Sequence, residues 1–324
     1  MQQEIRFATF NAFNLAPAGQ QLYENLLPLT EEEYEAKLDW TARQIDLLDA
    51  DVIGFQEIFS QDALRAALAR TRRYRDAIHV GFDPDPGAER LTPSVALVSR
   101  LPLAAPGARH AAFPDGVTMP DGCREACTFS REVIHAAITV SPDVVVDVVV
   151  IHLKSKRPDY RTGDSAEDPL LFGLACLRSL VRRGTEAVAL RVLLTTMAKE
   201  NKRPQVVLGD FNDVADAVST TIVMGNGTAM SGRLFDACQL QHRQDHLRHV
   251  GFSMMHDHSY TTIDHILVSE EFNPALPNAI GEVIDVVYLN DHVVLELPAA
   301  SDHGQVLARI RLFDETRGLS DAGV

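Results

Sequence analysis

The chain has 324 residues, 46% of them hydrophobic, and a formal net charge of −15 at pH 7. That length and apolar content can bury a substantial core, which excludes the disordered and fibrous classes. The acidic balance opposes long-range attraction to polyanions, so contact with nucleic acid has to be local and metal-assisted rather than carried by a broad basic surface.

Met1-Gln2-Gln3-Glu4-Ile5-Arg6-Phe7 runs directly into a strand without the basic region and apolar core of a signal sequence, so a cytoplasmic location is expected. No apolar stretch reaches membrane-spanning length free of charges, so neither a transmembrane helix nor a membrane partner is expected. Cys123, Cys127, Cys176 and Cys238 show no zinc-type pairing or disulfide framework and read as buried small hydrophobes.

Residues 5–10 alternate as a strand and deliver Asn11 and Asn14 at its end. Thr30-Glu31-Glu32-Glu33 is a capping box that predicts an amphipathic helix to about residue 48. Residues 51–55 read as a buried strand that stops at Gln56-Glu57. A helix over about 61–70 follows, then strands near 74–80 and 94–99, separated by the turn-rich Asp83-Pro84-Asp85-Pro86-Gly87. Pro114-Asp115-Gly116 and Pro120-Asp121-Gly122 mark a further loop.

Residues 128–140 and 144–153 read as neighbouring strands turned at Ser141-Pro142-Asp143. The second is almost purely Val and Ile, so it should be buried on both faces, and it ends in His152 and Lys154. A polar loop over 155–169 leads into a helix over about 169–200, with a break expected near Gly184.

In Val206-Val207-Leu208-Gly209-Asp210-Phe211-Asn212 an apolar run ends abruptly in a carboxylate and an amide. The aliphatics predict a buried strand, Gly209 permits a tight exit, and alternation puts Asp210 and Asn212 on the same side. Such a tip suits a metal-bound, phosphate-like anion, although Asp and Asn also cap strand ends for turn reasons alone. The stretch to about 258 reads as mostly irregular, followed by strands near 260–269, 282–288 and 305–312. No repeat or linker divides the chain, which predicts one layered α/β domain over 1–324.

Polar residues recur at these strand ends: Asn11, Glu57, Arg131, His152, Asp210, Asn212, Asp264, Asp302 and His303. In order along the chain, Thr9-Phe10-Asn11, Gly54-Phe55-Gln56-Glu57, Thr128-Phe129-Ser130-Arg131-Glu132, Ile151-His152-Leu153-Lys154-Ser155, Gly209-Asp210-Phe211-Asn212, Ile263-Asp264-His265-Ile266-Leu267 and Ser301-Asp302-His303 resemble the motifs of the endonuclease/exonuclease/phosphatase superfamily. That group contains deoxyribonuclease I, exonuclease III and bacterial sphingomyelinases. The resemblance implies a four-layer αββα sandwich, two packed mixed β-sheets flanked by helices, with the site at the strand ends.

Hydrolysis of a phosphate diester needs an oriented water, neutralised phosphoryl oxygens and a stabilised leaving oxygen. By the resemblance, Glu57 is the hard oxygen ligand for Mg²⁺ or Mn²⁺, assisted by Asn11 and Asp302. His303 is the expected base on water, with Asp264 holding its ring. Asp210 and Asn212 are assigned to water and phosphate positioning, and His152 is the second catalytic His, its own partner left open. Arg131 offers a bidentate phosphate fork, or else a strand-edge salt bridge with Glu132.

Lys154, with Lys156, Arg157 and Arg161, forms a basic loop that suits an extra phosphate or a short single strand, or is simply solvated. Tyr260 is expected near the pocket, stacking on a base or an aromatic leaving group. His242, His246 and His249 could chelate a metal if helical, or form an ordinary solvent-facing segment.

Ala12-Phe13-Asn14-Leu15 departs from the pattern of apurinic endonucleases, and Ile263-Asp264-His265 from that of inositol polyphosphate phosphatases. An exposed aromatic hairpin of the sphingomyelinase kind is not evident. A metal-dependent phosphodiesterase on short nucleic acid or a small phosphodiester is therefore expected, monomeric and without an obligate protein partner. Its rivals are a phosphomonoesterase on the same groups and a catalytically silent binding module of the same fold.

Overall fold

A computed structural model of the chain describes residues 3–83, 92–120, 126–225, 232–242, 251–256, 258–295, 297 and 299–313. The elements in order are β1 (Glu4–Leu15), α1 (Glu31–Leu48), β2 (Val52–Ile58), α2 (Gln61–Arg70), β3 (Ile78–Gly81), β4 (Ser94–Ser99), β5 (Ala108–Ala112), β6 (Thr128–Ser141) and β7 (Val144–His152). They continue with α3 (Pro169–Asn201), β8 (Gln205–Asp210), α4 (Val218–Met224), β9 (Leu234–Asp236), α5 (Ala237–Leu240), β10 (Met254–His256), β11 (Ser259–Thr261), β12 (Asp264–Ser269), β13 (Gly281–Leu289), α6 (Asp291–Leu295) and β14 (Gln305–Leu312).

Two six-stranded mixed sheets carry the architecture, in the orders β13-β14-β1-β2-β4-β3 and β5-β6-β7-β8-β12-β9, with β10 and β11 as a separate hairpin. Side-chain alternation builds the layers. Phe7 of β1 and Val148 and Val150 of β7 point into a core between the sheets, where they meet Val52, Leu97, Ile138, Leu208 and Ile266. Their neighbours Ala8 and Phe10 face the opposite way, onto Leu38, Ile45 and Leu48 of α1 and Leu64 and Leu68 of α2. Val149 and Ile151 likewise turn outward onto Leu190, Leu194 and Met197 of α3. The uninterrupted Val and Ile run of β7 is thus buried on both faces, and the order of layers is αββα.

The sheets approach closely where Gly54 faces Val150 and Leu208; a Cβ there would lie 3.1 Å from atoms of both. The capping box at the start of α1 forms as read, Thr30 Oγ accepting from Glu33 N and Glu33 Oε2 accepting from Thr30 N.

Several expectations are corrected. The α3 helix is continuous through Gly184, because packing of its inner face outweighs the roughly 1 kcal/mol by which a helical Gly is disfavoured. The stretch read as irregular contains α4, β9, α5 and β10, elements of three to seven residues that are too short to show a period. β1 runs on to Leu15 across a bulge, while β5 and α6 carry no clear pattern in the sequence. Cys127 is exposed and Cys176 and Cys238 are half-buried, all three as free thiols, while Cys123 lies outside the described residues. No helix among the described residues is long and apolar enough to cross a membrane.

Candidate active site

Parallel pairing puts the site at one edge of both sheets. β1 pairs parallel with β2, and β7 with β8, so Asn11, Glu57, His152 and Asp210 all come at or near the carboxyl ends of strands. β6, β12 and β14 run antiparallel to their neighbours and bring Arg131, Asp264 and His303 to the same edge at or just before their amino ends. Across the second sheet His152, Asp210 and Asp264 lie in register on three adjacent strands.

The two sheets are joined here by side chains. Asn11 Nδ2 donates to Asp210 Oδ2 at 3.2 Å, and Ser301 Oγ donates to the Asn11 carbonyl while accepting from His303 N. His303 Nδ1 lies 2.8 Å from Asp264 Oδ2 with both side chains buried, the geometry of an orienting carboxylate behind an imidazole. Asp264 is itself seated by Ser253 Oγ, which accepts from the backbone N–H groups of Ile263 and Asp264. Asp210 Oδ1 accepts from Asn212 N at 2.7 Å, and Asn212 Nδ2 donates to the Leu153 carbonyl.

His152 Nε2 is 3.4 Å from Asp210 Oδ2, which supplies the partner left open in the sequence, while its Nδ1 is buried without a hydrogen bond. Glu57 sits at φ +60°, a left-handed position within β2 where the β2 pairing shifts register, and Asn212 at φ +53°, just past the end of β8. Glu57 Oε2 accepts from Asn14 N at 3.0 Å; Phe13 and Asn14 are left-handed as well, in the bulge that follows Asn11.

The charges crowd. Burial and then the neighbouring Asp264 push the Asp210 carboxyl up to about 7. Burial, then Asp302, raises Glu57 as well. Burial alone would depress His303, but Asp264, Asp302 and Asp210 outweigh it and hold its pKa well above the usual imidazole value. His152 goes the other way, kept neutral by burial and by the positive charge of Arg131. Asp264 Oδ1 and Asp302 Oδ1 are buried with no hydrogen-bond partner. Mutually repelling acids and orphaned carboxylate oxygens form a donor set that fits a hard divalent cation.

The acids fall into two clusters, one of them a compact triad with His303. Asp210, Asp264 and His303 offer ligand atoms within 4.8 Å of one another, the one such group among the described residues. Glu57 and Asp302 form the other, and here Asp302 keeps 42% of its side chain exposed to the cleft. Asp264 already accepts from His303, which leaves the Glu57–Asp302 set the freer of the two.

The remaining expected residues stand as follows. Arg131 donates to the Leu153 carbonyl at 3.4 Å, and its charge is felt at both His152 and Glu57, while Glu132 pairs with Arg109 instead. Lys154 directs its ammonium to the Ser155 and Arg157 carbonyls of its own loop and to Ser179 Oγ on α3. Tyr260 is 58% exposed on the β10–β11 hairpin, its ring 4.6 Å from Phe252, so an aromatic-bearing hairpin exists that strands of three residues did not reveal in the sequence. That hairpin touches the site, because Met254 bridges to His303. Of the histidine cluster, His246 and His249 lie outside the described residues.

Sequence reasoning missed the support behind the site. Glu186 of α3, fully buried, accepts from Ser130 N and Lys154 N, both at 2.8 Å, and so clamps the segments that carry Arg131 and His152. Arg183 pairs with Asp213 and donates to the Lys154 carbonyl. The available signal was charge on the inner face of a helix, which is indistinguishable in sequence from an ordinary i, i+4 pair such as Arg182–Glu186.

A family model described as the endonuclease/exonuclease/phosphatase family matches residues 8–303. The chain belongs to that family. Its fold is shared with an endonuclease/exonuclease/phosphatase family protein from Bacteroides thetaiotaomicron (14% identity, 98% of this chain and 97% of that one, TM-score 0.61). It is shared equally with the mannosyl-6-phosphatase Bt3783 of the same organism (15% identity, 94% and 99% covered, TM-score 0.57). The human Nocturnin catalytic domain with bound sulfate anion is a third likeness (16% identity, 97% and 96% covered, TM-score 0.58). Curated protein sequences give no significant match. Members of the endonuclease/exonuclease/phosphatase family are hydrolases of phosphoric esters that generally use divalent metals.

Proposed function

We propose that this family member is a Mg²⁺- or Mn²⁺-dependent phosphodiesterase acting on short nucleic acid or a small phosphodiester. The observation that carries the reading is the buried His303–Asp264 pair at 2.8 Å with Asp210 beside it. His303 Nε2 takes the proton of the attacking water, and Asp264 fixes the ring through Nδ1 and stabilises the imidazolium that forms. Asp210 and Asn212, locked to each other, hold the water and a phosphoryl oxygen so that the water attacks phosphorus opposite the leaving oxygen.

His152 hydrogen-bonds a phosphoryl or leaving oxygen, and the Arg131 fork opposes the charge developing on phosphorus. Glu57 and Asp302, with Asn11, are the groups assigned to the cation. When bound, the cation supplies neutralisation of the phosphoryl and leaving oxygens and offsets the acidic field that raises His303.

Bis-p-nitrophenyl phosphate and p-nitrophenyl phosphate, each assayed with Mg²⁺, Mn²⁺ and EDTA, test the proposal. Metal-restored turnover of the diester supports it, and turnover that ignores chelation overturns it. Preference for the monoester would favour a phosphomonoesterase, a second reading prompted by the likeness to a mannosyl-6-phosphatase. No turnover of either ester would leave the binding module. A steep fall of activity with salt would mark a polymeric substrate, and a flat profile a small one.

A further inference from the structure

The loop after β1 and the first turns of α1 enclose a cavity of about 180 Å³ on the outer face of the first sheet, lined by Phe13, Pro17, Leu22, Leu29, Ala36 and Lys37 among others. Most of its lining is apolar, with Asn14, Gln20, Glu33 and Lys37 as the polar members, and Leu27 stands 88% exposed at its rim. The Glu33 carboxylate is engaged by Thr30 N and Oγ at the start of the helix. One buried cation breaks the pattern. Lys37 is only 4% exposed, and its ammonium makes no hydrogen bond or ion pair among the described residues, standing instead over the Phe13 ring 5.4 Å from the centroid. An ammonium held this way has no anion in direct contact, and its desolvation is offset only through space.

The cavity is next to the acids of the candidate site. Asn14 lines it and holds Glu57 through its backbone N–H. Burial lowers the Lys37 pKa to about 8, and Asp302 and Glu57 both act to raise it, so its charge is within reach of both carboxylates. A mostly apolar cavity whose one cation stands beside the candidate site fits an amphiphilic anion. Its volume is close to the roughly 150 Å³ of an engineered apolar cavity that binds benzene.

Resting on the reading of the site as a phosphoester hydrolase, we propose that this cavity seats the apolar ester group of the substrate, a single aryl ring or an alkyl chain of about six carbons, while Lys37 pairs with an oxygen of its phosphate. The cavity thereby selects for esters of apolar alcohols over those of polar ones.

Calorimetric titration of the full chain, in Mg²⁺, with methyl-, butyl-, hexyl- and decylphosphonate tests this without requiring turnover. The dissociation constant should fall roughly fourfold per methylene up to about hexyl and level off by decyl. Ala36→Trp, a change on the exposed side of α1 that fills the cavity, should flatten the series. Lys37→Met should weaken every phosphonate and keep the dependence on chain length.

Affinity independent of chain length, a series that keeps tightening to decyl, an unchanged series in Ala36→Trp, or full affinity in Lys37→Met would each overturn the proposal. Length-dependent binding without hydrolysis of any ester would sink the hydrolase reading instead, so the two failures are distinguishable.

Discussion

The first sheet holds acids at both of its ends, and they are treated in opposite ways. Away from the site, Asp49 is surrounded by the guanidinium groups of Arg6, Arg73 and Arg100, and Arg100 also reaches Asp51. Burial would raise the Asp49 carboxyl, but hydrogen bonds from Arg73 and Arg100 outweigh it and hold the carboxyl at about 2. At the other end Glu57 accepts only a backbone N–H, faces Asp302 and is raised.

The backbones differ in the same sense. Asp49 is left-handed where a helix C-cap commonly is, whereas Phe13, Asn14 and Glu57 are left-handed with no cap to require it. Such residues are strained by about 1–3 kcal/mol each. One end of the sheet pairs its acids with guanidinium groups, and the other leaves them facing one another on a strained backbone.

The largest expected effect is at the site: His303→Ala should lower turnover of a cleavable diester by roughly 10²–10⁴-fold with the melting temperature nearly unchanged. Near wild-type rates would remove His303 from the mechanism.

Asp49→Asn should have the converse profile, intact catalysis but a loss on the order of 1 kcal/mol in unfolding free energy at pH 7, solvent screening having reduced the full effect of the pairing. Asp49 binds its proton less readily folded than unfolded, so the contribution is present above about pH 4 and is lost as pH falls through about 2. Denaturant titration of both proteins across that window is the check, and a pH-independent difference would contradict the pairing.

Asp210 has the opposite sign. Its folded carboxyl titrates near 7, so its charge opposes folding increasingly as pH rises from about 4 through about 7. Asp210→Asn should therefore abolish turnover yet raise the melting temperature of the metal-free protein at pH 8 by a few degrees, roughly the shift that 1 kcal/mol produces in a domain of this size. A lower melting temperature would mean that its hydrogen bonds matter more than the repulsion. The smallest effect belongs to the exposed Arg65–Asp62 pair, where Arg65→Ala should change stability by less than about 0.5 kcal/mol.

Much of the fold is readable along the chain. The Val and Ile runs of β7 and β8, the capping box of α1 and the α2 boundaries appear where local pattern places them. Short elements such as α4, β9 and β10 escape because three to seven residues carry no measurable period. Gly184 misleads because propensity is a weak force beside the burial of a whole helix face.

The chemistry divides along the same line. Chain order and residue type alone specify which polar groups stand at strand ends, because an apolar run must stop where its backbone leaves the core. They do not specify pairing. That Asn11 reaches Asp210 across 199 positions, that Asp264 and not another acid holds His303, that Glu57 takes a left-handed backbone, and that Lys37 is buried over the Phe13 ring all depend on how two sheets and a helix close on one another. Side-chain type is a local property of the sequence, but distance, burial and the electrostatic field are properties of the packed whole.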